Sequence, residues 1–323
     1  FELGNEWYQS SFEWSSAEFG AAQVTIASWV HDEASSLLMR DQVTILAQAG
    51  QSESENLILG EYFSGAAQES IDGVLAHIYG TTSTEDAFRI GAGIGRRLNL
   101  INEIWTGVLG DDFEFAITEW NVGANQEGNT SITGLMRLAP LMRMFVEMLE
   151  VGVDIATIWS TQTAGPSGLS LREGTGSQLT PTGQFFSLIS NSLEGTRLIE
   201  TGESDFILDG DGSKIGYRYS FSDENELITY FVSSSDAPFD VSASLGDFLT
   251  EDSYVYISTV GAAFDDDGLG FWSETSVHVN TSVDIADLPS NGSGLNVSLD
   301  PYHLIEIHVV NGTGVDISGD MHN

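Results

Sequence analysis

Short apolar runs alternate with longer helical stretches over residues 1–162, and this rhythm constrains the fold more than any other feature. The runs begin near residues 1, 43, 73, 113 and 154, which puts their starts 30 to 42 residues apart. A (β/α)₈ barrel averages about 31 residues for each strand and helix, and more where the loops are long. The pattern therefore predicts parallel βα units, with strands at Phe1–Asn5, Val43–Gln48, Gly73–Tyr79, Phe113–Val122 and Ile155–Thr161.

Two stretches between these runs have apolar residues at helical spacing. They are Ala17–Leu38 and Ser131–Glu150, and a shorter third stretch, Gln184–Leu193, follows Pro181. Trp29 falls on the apolar face of the first stretch, which predicts that it is a core residue. The first part of the chain is thus expected to be an α/β domain, which we assign to residues 1–195.

The texture of the sequence changes after about Thr196, because only strand-like segments follow. They are short, rich in Val, Ile, Tyr and Thr, and separated by turns of Gly, Asp, Asn and Ser. This pattern is typical of an antiparallel β-sandwich, and we predict one as an accessory domain over residues 196–323.

The charge of the chain limits its partners. There are 48 acidic and 10 basic residues, for a net charge of −38, and such a chain repels the phosphates of nucleic acids. The acids are spread along the whole sequence, which suits a solvated surface at high salt. Calcium bound by the acidic segments Asp209–Ser213 and Asp265–Gly268 is an alternative, although neither segment completes an EF-hand loop.

Membrane, disulfide and dinucleotide signals are weak or missing in the sequence. No stretch approaches the roughly 18 to 20 apolar residues of a membrane span, and cysteine is absent. The segment Gly91–Gly95 has glycines like those of a dinucleotide loop. However, Arg96 occupies the position of the third glycine, so we predict no organic cofactor.

Two acidic residues lie where predicted strands end. Glu6 closes the first run and Glu119 closes Phe113–Glu119, and the carboxyl ends of parallel strands meet at one edge of the sheet. A single acid in such a place could be a buried ion-pair partner. Two of them, three βα units apart, predict a pair of carboxyl groups that face each other across a scissile bond, as glycoside hydrolysis requires.

Four motifs resemble those of the clan A (β/α)₈ retaining glycoside hydrolases. Leu3–Glu6 resembles their strand-4 Asn-Glu motif, and Thr118–Val122 resembles the strand-7 nucleophile motif, closest to the family 51 α-L-arabinofuranosidases and the family 39 β-xylosidase type. His77-Ile78-Tyr79 is similar to the His-x-Tyr that ends strand 6, and Ile158-Trp159 to the aromatic ending of strand 8. The resemblance implies that strands 4 to 8 of a barrel lie in this chain. A preceding segment or a separate chain would then complete the barrel.

The resemblance also assigns roles to individual residues. It implies that Glu6 is the general acid/base, that Glu119 is the nucleophile, and that Asn5 binds the sugar 2-hydroxyl. His77 or Tyr79 would hold the nucleophile by hydrogen bonds. Aromatic faces stack on the C–H face of a sugar ring, so three tryptophans at strand ends are predicted sugar platforms. They are Trp7, Trp120 and Trp159.

The function implied is that of a retaining glycoside hydrolase that needs neither a metal nor an organic cofactor. Its substrate would be a plant or algal polysaccharide or oligosaccharide, and its location secreted or at the cell surface. A non-catalytic carbohydrate-binding or surface protein on the same scaffold is the alternative, and the presence of Asn5, Glu6 and Glu119 argues against it.

Overall fold

The structure is a computed structural model of the 323-residue chain. It describes residues 1–9, 11–80, 87–123, 132–163, 167–171, 178–200, 205–245, 248–249, 252–263, 266–270, 273, 275–283 and 294–311. Contacts divide the chain into two compact units. Unit 1 comprises Phe1–Thr81, Phe88–Gly123 and Met144–Ser160, and unit 2 comprises the other residues. These units are defined by contacts alone, so the domain boundary between residues 195 and 196 stays a prediction.

A five-stranded parallel sheet forms the centre of unit 1, which confirms the predicted parallel α/β arrangement. The strands lie side by side in sequence order, as successive right-handed βα units require. They are β1 (Glu2–Leu3), β2 (Leu46–Gln48), β3 (Gly73–Gly80), β4 (Glu114–Val122) and β5 (Ile155–Ile158). The connecting helices are α1 (Ser16–Ser36), α2 (Glu53–Tyr62), α3 (Ala87–Leu109) and α4 (Leu138–Val151).

Three of these helices differ from the sequence-based expectation. Helices α2 and α3 were not predicted, and the glycines of Gly91–Gly95 lie inside α3. Helix α4 begins later than predicted, after the 3₁₀ turn Gly134–Arg137, while the predicted start at Ser131 lies outside the described residues. Among the described residues, no helix is long and apolar enough to cross a membrane.

Side chains alternate between the two faces of the sheet, and the register shows which residues share a face. His77 pairs with Glu119, and Ile78 pairs with Trp120, after a register shift at Ala76/His77. Because successive residues of a strand point to opposite faces, His77 and Glu119 share one face while Trp120 lies on the other.

Strand β1 leaves the sheet at Gly4, where φ is +138°. A Cβ atom at this position would lie 2.5 Å from Cζ of Phe19, so only glycine fits both the backbone conformation and the close approach. Beyond Leu3, the side chain of Gln23 takes the place of a strand partner: its Oε1 accepts from the Gln48 N–H at 2.7 Å, and its Nε2 donates to the Gln48 carbonyl at 3.3 Å. Gly4 and Gln23 thus end β1 just before Glu6.

The prediction that Trp29 is a core residue was wrong, because its side chain is 70% exposed. Phe1, Leu37 and Met39 are also exposed and apolar, and with Trp29 they line a cavity of about 350 Å³ beside the edge strand β1. The described residues of unit 1 do not cover this apolar face of α1. The helical pattern of apolar residues predicted burial, but Trp29 is exposed for this reason.

The described residues of unit 2 form strands and the helix α5 (Pro181–Ser192), whose start is capped by Thr180, and they include the first residues of α4. The strands are β6 (Gln162–Thr163), β7 (Ser170–Leu171), β8 (Arg197–Ile199), β9 (Phe206–Leu208), β10 (Lys214–Ser222), β11 (Glu226–Ser233), β12 (Phe239–Ser244), β13 (Ser253–Ala262), β14 (Thr275–Val283), β15 (Gly294–Leu299) and β16 (Leu304–Asn311). A seven-stranded antiparallel sheet has the order β14-β13-β16-β11-β10-β8, with β9 also paired to β10, and β12 pairs with β15 in a second sheet. The two short strands β6 and β7 form a parallel pair.

The two antiparallel sheets of unit 2 share one hydrophobic cluster. Val241 and Ala243 of β12 and Leu295 of β15 are buried with Phe231 of β11 and Ile307 of β16. Burial of this apolar surface is the main stabilising contribution that unit 2 displays.

Candidate active site

The candidate site lies at the carboxyl edge of the parallel sheet, where Glu6 and Glu119 approach each other. Glu119 belongs to β4, and Glu6 follows β1 with a φ of +48°. A left-handed conformation is unfavourable for a residue with a Cβ atom, and such strain is retained where the surrounding structure fixes it. A carboxylate oxygen of Glu6 and one of Glu119 lie within 4.8 Å of each other.

His77 lies between the two carboxylates. Its Nδ1 is 3.4 Å from Oε1 of Glu6 and 3.4 Å from Oε2 of Glu119, and its side chain is buried. Its Nε2 is buried without a hydrogen-bond partner among the described residues. Nδ1 is the ring nitrogen that faces both carboxylates, so we assign an N–H to it.

The same three residues have the spacing of metal ligands, and within the described residues they are the only such group. A histidine that binds a metal usually donates its second ring N–H to an acceptor. Nε2 of His77 has no acceptor among the described residues, so the arrangement fits a hydrogen-bonded carboxylate pair better than a metal site.

Tyr79 contacts Glu119 from the same face of the sheet. Its hydroxyl donates to Oε2 of Glu119 at 2.7 Å. Burial, followed by the hydrogen bond to Glu119 and the charges of Glu119 and Glu6, raises the pKa of Tyr79 far above its usual value of 10. The phenol therefore stays protonated and acts as a hydrogen-bond donor to Glu119.

Asn5 and Trp159 lie at the rim of the site. Asn5 is exposed and directly precedes Glu6. Trp159 is 52% exposed, its carbonyl accepts from Nδ2 of Asn121 at 2.6 Å, and the Trp159–Ser160 peptide bond is cis. Both side chains are open to a ligand, and their predicted contacts with sugar stay predictions.

The sugar-platform prediction needs correction for Trp7 and Trp120. Trp120 is 1% exposed, because strand alternation puts it on the face opposite Glu119. Trp7 is 4% exposed, and its ring stacks on Phe19 of α1 with the centroids 4.8 Å apart. Neither ring presents an open face, and both pack in the protein interior.

Sequence analysis missed two polar side chains at the carboxyl ends of β1 and β2. Nε2 of Gln9 donates to Oε2 of Glu6 in a short hydrogen bond. Gln48 ends β2, and both polar atoms of its side chain are buried without a partner among the described residues. The signal for Gln48 was present in the sequence, because it is a polar residue at the carboxyl end of an apolar run, as Glu6 and Glu119 are.

The acidic segments proposed for calcium form turns. Oδ1 of Asp209 accepts from the N–H groups of Asp211 and Ser213 at 2.9 and 2.8 Å, and Oδ1 of Asp266 accepts from the Gly268 N–H at 2.7 Å. Asp265 lies outside the described residues. These bonds are those of Asx turns, in which a carboxylate stabilises a backbone reversal.

No protein-family profile matches the sequence, and no curated protein matches it either. Solved structures do match. An α-L-arabinofuranosidase from Thermotoga maritima has a TM-score of 0.67 at 17% identity, and a thermostable GH51 α-L-arabinofuranosidase from Thermotoga petrophila has 0.69 at 16%; each match covers 95% of this chain and 65% of the other. A 4-O-α-L-rhamnosyl-β-D-glucuronidase from Fusarium oxysporum has a TM-score of 0.61 at 13% identity, covering 95% of this chain and 69% of that one.

The chain therefore spans 65% of the length of these arabinofuranosidases, at an identity that supports a conclusion about fold alone. Over that span, it has the fold of the clan A (β/α)₈ glycoside hydrolases.

Proposed function

We propose that this chain carries the catalytic carboxylates of a retaining glycoside hydrolase. The observation that supports the proposal best is the approach of Glu6 and Glu119 to within 4.8 Å at the carboxyl edge of the sheet. Retaining enzymes hold their two carboxyl groups about 5 to 5.5 Å apart, whereas inverting enzymes need roughly 6.5 to 9.5 Å to admit a water molecule. The spacing favours direct attack by a carboxylate.

The hydrogen bonds of Glu119 suit the role of nucleophile. Tyr79 donates to Oε2 at 2.7 Å and Nδ1 of His77 lies 3.4 Å from the same oxygen, so Oε1 is the oxygen that attacks the anomeric carbon. As the new C–O bond forms, Glu6 protonates the departing oxygen and the glycosidic bond breaks. Glu6 then takes a proton from water, which attacks the same carbon and releases Glu119.

The substrate class rests on the comparisons. The matched structures include two α-L-arabinofuranosidases and a glucuronidase, which favours a plant or algal polysaccharide or oligosaccharide as the substrate of this chain. The exposed ring of Trp159 and the exposed amide of Asn5 are the side chains proposed to contact the sugar. The protein is proposed to be secreted or bound to the cell surface, where such substrates occur.

The finer architecture belongs to the same proposal. The five parallel strands are strands 4 to 8 of a closed (β/α)₈ barrel, and the two antiparallel sheets of unit 2 form a β-sandwich. Strand β1 is an edge strand, and the exposed apolar side chains of Trp29 in α1 and of Leu37, which follows that helix, line the cavity beside it. An unpaired edge beside an apolar surface is a place where further strands and helices bind.

A preceding segment or a separate chain would cover this edge and close the barrel. Intact-mass measurement of the protein from its native source tests this part of the proposal. A mass well above 34.8 kDa, or a second polypeptide that co-purifies, is the expected result. A monomer of 34.8 kDa that hydrolyses glycosides would contradict it.

Substitution of the two carboxylates tests the catalytic proposal. On a panel of aryl glycosides, Glu119→Ala should reduce turnover by about 10⁴-fold or more, as expected when a nucleophile is removed. Glu6→Ala should retain activity on substrates with good leaving groups, and azide should restore turnover by attacking the glycosyl-enzyme in place of activated water. Azide rescue should yield a glycosyl azide that retains the anomeric configuration.

The exposed Glu61 of α2 provides a matched control. Glu61→Ala should leave turnover unchanged, because this carboxylate takes no part in the site. Equal losses in all three variants, or no rescue of Glu6→Ala by azide, would contradict the assigned roles. Binding of a sugar without hydrolysis of any substrate would support the non-catalytic alternative.

A further inference from the structure

Tyr8 and Arg97 place two buried polar groups beside Glu6 that the proposed reaction does not use. The hydroxyl of Tyr8 and Nε of Arg97 are both buried, and neither has a hydrogen-bond partner among the residues that the structure describes. A buried donor without an acceptor is costly, and an unexplained one in a native structure calls for a bound water, an ion or a ligand.

The fold carries Arg97 to the side of the sheet where the carboxylates lie. Nε1 of Trp105 donates to Oδ1 of Asn56 at 3.0 Å, which fixes this part of α3 beside the first turn of α2. Arg97 comes eight residues earlier in α3, or about 12 Å further along the helix axis at 1.5 Å per residue. Because α3 follows the carboxyl end of β3, the part of α3 that contains Arg97 lies toward the carboxyl edge of the sheet.

The electrostatic surroundings of Arg97 contain one phenol and two acids. Burial lowers the pKa of Arg97, while Tyr8, and then Glu55 and Glu6, act in the opposite direction. Oε2 of Glu55 already accepts the N–H groups of Gln51 and Ser52 at 2.7 and 2.8 Å, where it caps α2. This oxygen of Glu55 is therefore already hydrogen-bonded to the backbone at the start of α2.

Tyr8 complements Arg97 as a donor. Burial and the charge of Glu6 raise the pKa of Tyr8 to about 12, so its hydroxyl keeps its proton at neutral pH. Arg97 and Gln51 lie close enough to lower that pKa in part, yet neither reaches hydrogen-bonding geometry with the hydroxyl. The Tyr8 hydroxyl and the cationic Arg97 guanidinium are thus two neighbouring donors that one anionic acceptor could satisfy.

We propose that Arg97 and Tyr8 bind an anionic substituent, a carboxylate or a sulfate, on the leaving-group sugar, whose glycosidic oxygen Glu6 protonates. This inference rests on the proposed function, because it assigns Glu6 to the leaving-group side of the scissile bond. Of the two catalytic carboxylates, Glu6 is the one whose charge acts on both Tyr8 and Arg97. In a chain with a net charge of −38, a local cation is also the means by which an anionic saccharide could be held.

Matched pairs of oligosaccharides test the inference. Oligogalacturonides are compared with the same oligomers after reduction of their carboxylates to alcohols, and sulfated galactan oligosaccharides with their desulfated forms. Titration calorimetry in high salt, which screens the overall negative charge, gives Kd for each. At least one anionic form should bind about 10- to 100-fold more tightly than its neutral counterpart, as expected for hydrogen bonds to a charged group.

Variants of Arg97 connect that preference to the site. Arg97→Met should abolish the preference for the anionic form, Arg97→Lys should retain part of it, and Tyr8→Phe should weaken it. Arg96→Met is the matched control, because Arg96 is exposed on the same helix and its Nε donates to the carbonyl of Ala92. It removes the same charge and should leave Kd unchanged.

The outcomes separate this inference from the proposed function. Equal binding of anionic and neutral forms would overturn the inference and would indicate that water satisfies the two donors. An equal loss in Arg96→Met would also overturn it, since the effect would then come from overall charge. Anion preference that depends on Arg97, without any hydrolysis, would support anion binding by Arg97 and Tyr8 but contradict the proposed function. Hydrolysis of neutral glycosides without any anion preference would support the proposed function and overturn the inference. If circular dichroism shows that Arg97→Met is unfolded, Arg97→Lys and Tyr8→Phe decide the question.

Discussion

The two units contain the same pair of residues in different settings. In unit 1, the hydroxyl of Tyr79 donates to Oε2 of Glu119 at 2.7 Å, and in unit 2 that of Tyr230 donates to Oε2 of Glu306 at 2.7 Å. Each pair joins neighbouring strands of one sheet. The hydrogen bond alone therefore does not distinguish a reactive carboxylate from a structural one.

The surroundings of the two carboxylates differ in exposure and position. The side chain of Glu119 is 20% exposed at the carboxyl edge of a parallel sheet, near a second carboxylate. Glu306 is 3% exposed in the middle of an antiparallel strand, and Ser192 at the end of α5 also hydrogen-bonds to it. Burial raises the pKa of Glu306, which favours its neutral form. A tyrosine–glutamate pair becomes a candidate catalytic pair where a strand end leaves the acid open to a substrate.

Removal of the two tyrosine hydroxyls should show the largest functional difference between the Tyr79–Glu119 and Tyr230–Glu306 pairs. Tyr79→Phe should lower kcat/KM by about 10- to 100-fold, since it removes a hydrogen bond to the charged nucleophile. Tyr230→Phe should lower the free energy of unfolding by about 1 to 3 kcal/mol and leave kcat/KM unchanged. Steady-state kinetics and denaturant titration of both variants measure these effects. A loss of activity in Tyr230→Phe at full folding would remove the distinction between the pairs.

The pH dependence of stability should sharpen the comparison in unit 2. Because the folded-state pKa of Glu306 is raised above 4.5, its protonated form stabilises the fold at low pH. That contribution is lost as the pH rises through the folded-state pKa. Glu306→Gln keeps a neutral side chain at every pH, so its melting temperature relative to the unsubstituted protein should increase by a few degrees from pH 4 to pH 8.

A constant difference in melting temperature between Glu306→Gln and the unsubstituted protein across this range would contradict the prediction. It would show that folding does not raise the pKa of Glu306.

The strands and the two carboxylates could be predicted from the sequence, because short β-branched runs and acids at strand ends are local signals. Helix α3 could not, since three glycines in Gly91–Gly95 lower its intrinsic propensity. Packing explains one of them: a Cβ atom at Gly95 would overlap the carboxylate of Glu147. With α3 unrecognised, Arg97 could not be placed near Glu6. Burial of Trp120 was predictable, because alternation along β4 separates it from Glu119.

Salt should produce the smallest effect and should act on both units through their exposed acids. With a net charge of −38, the protein repels itself over a Debye length of about 30 Å at 0.01 M salt, and this length falls to about 3 Å at 1 M. The melting temperature should therefore rise with NaCl. Glu306→Gln should keep the same salt dependence, because salt screens a buried charge much less than an exposed one. Glu61→Gln, which removes an exposed charge, should reduce the salt dependence slightly. A melting temperature independent of salt would show that the acids are compensated locally, and bound cations would be the first explanation to test by dialysis against a chelator.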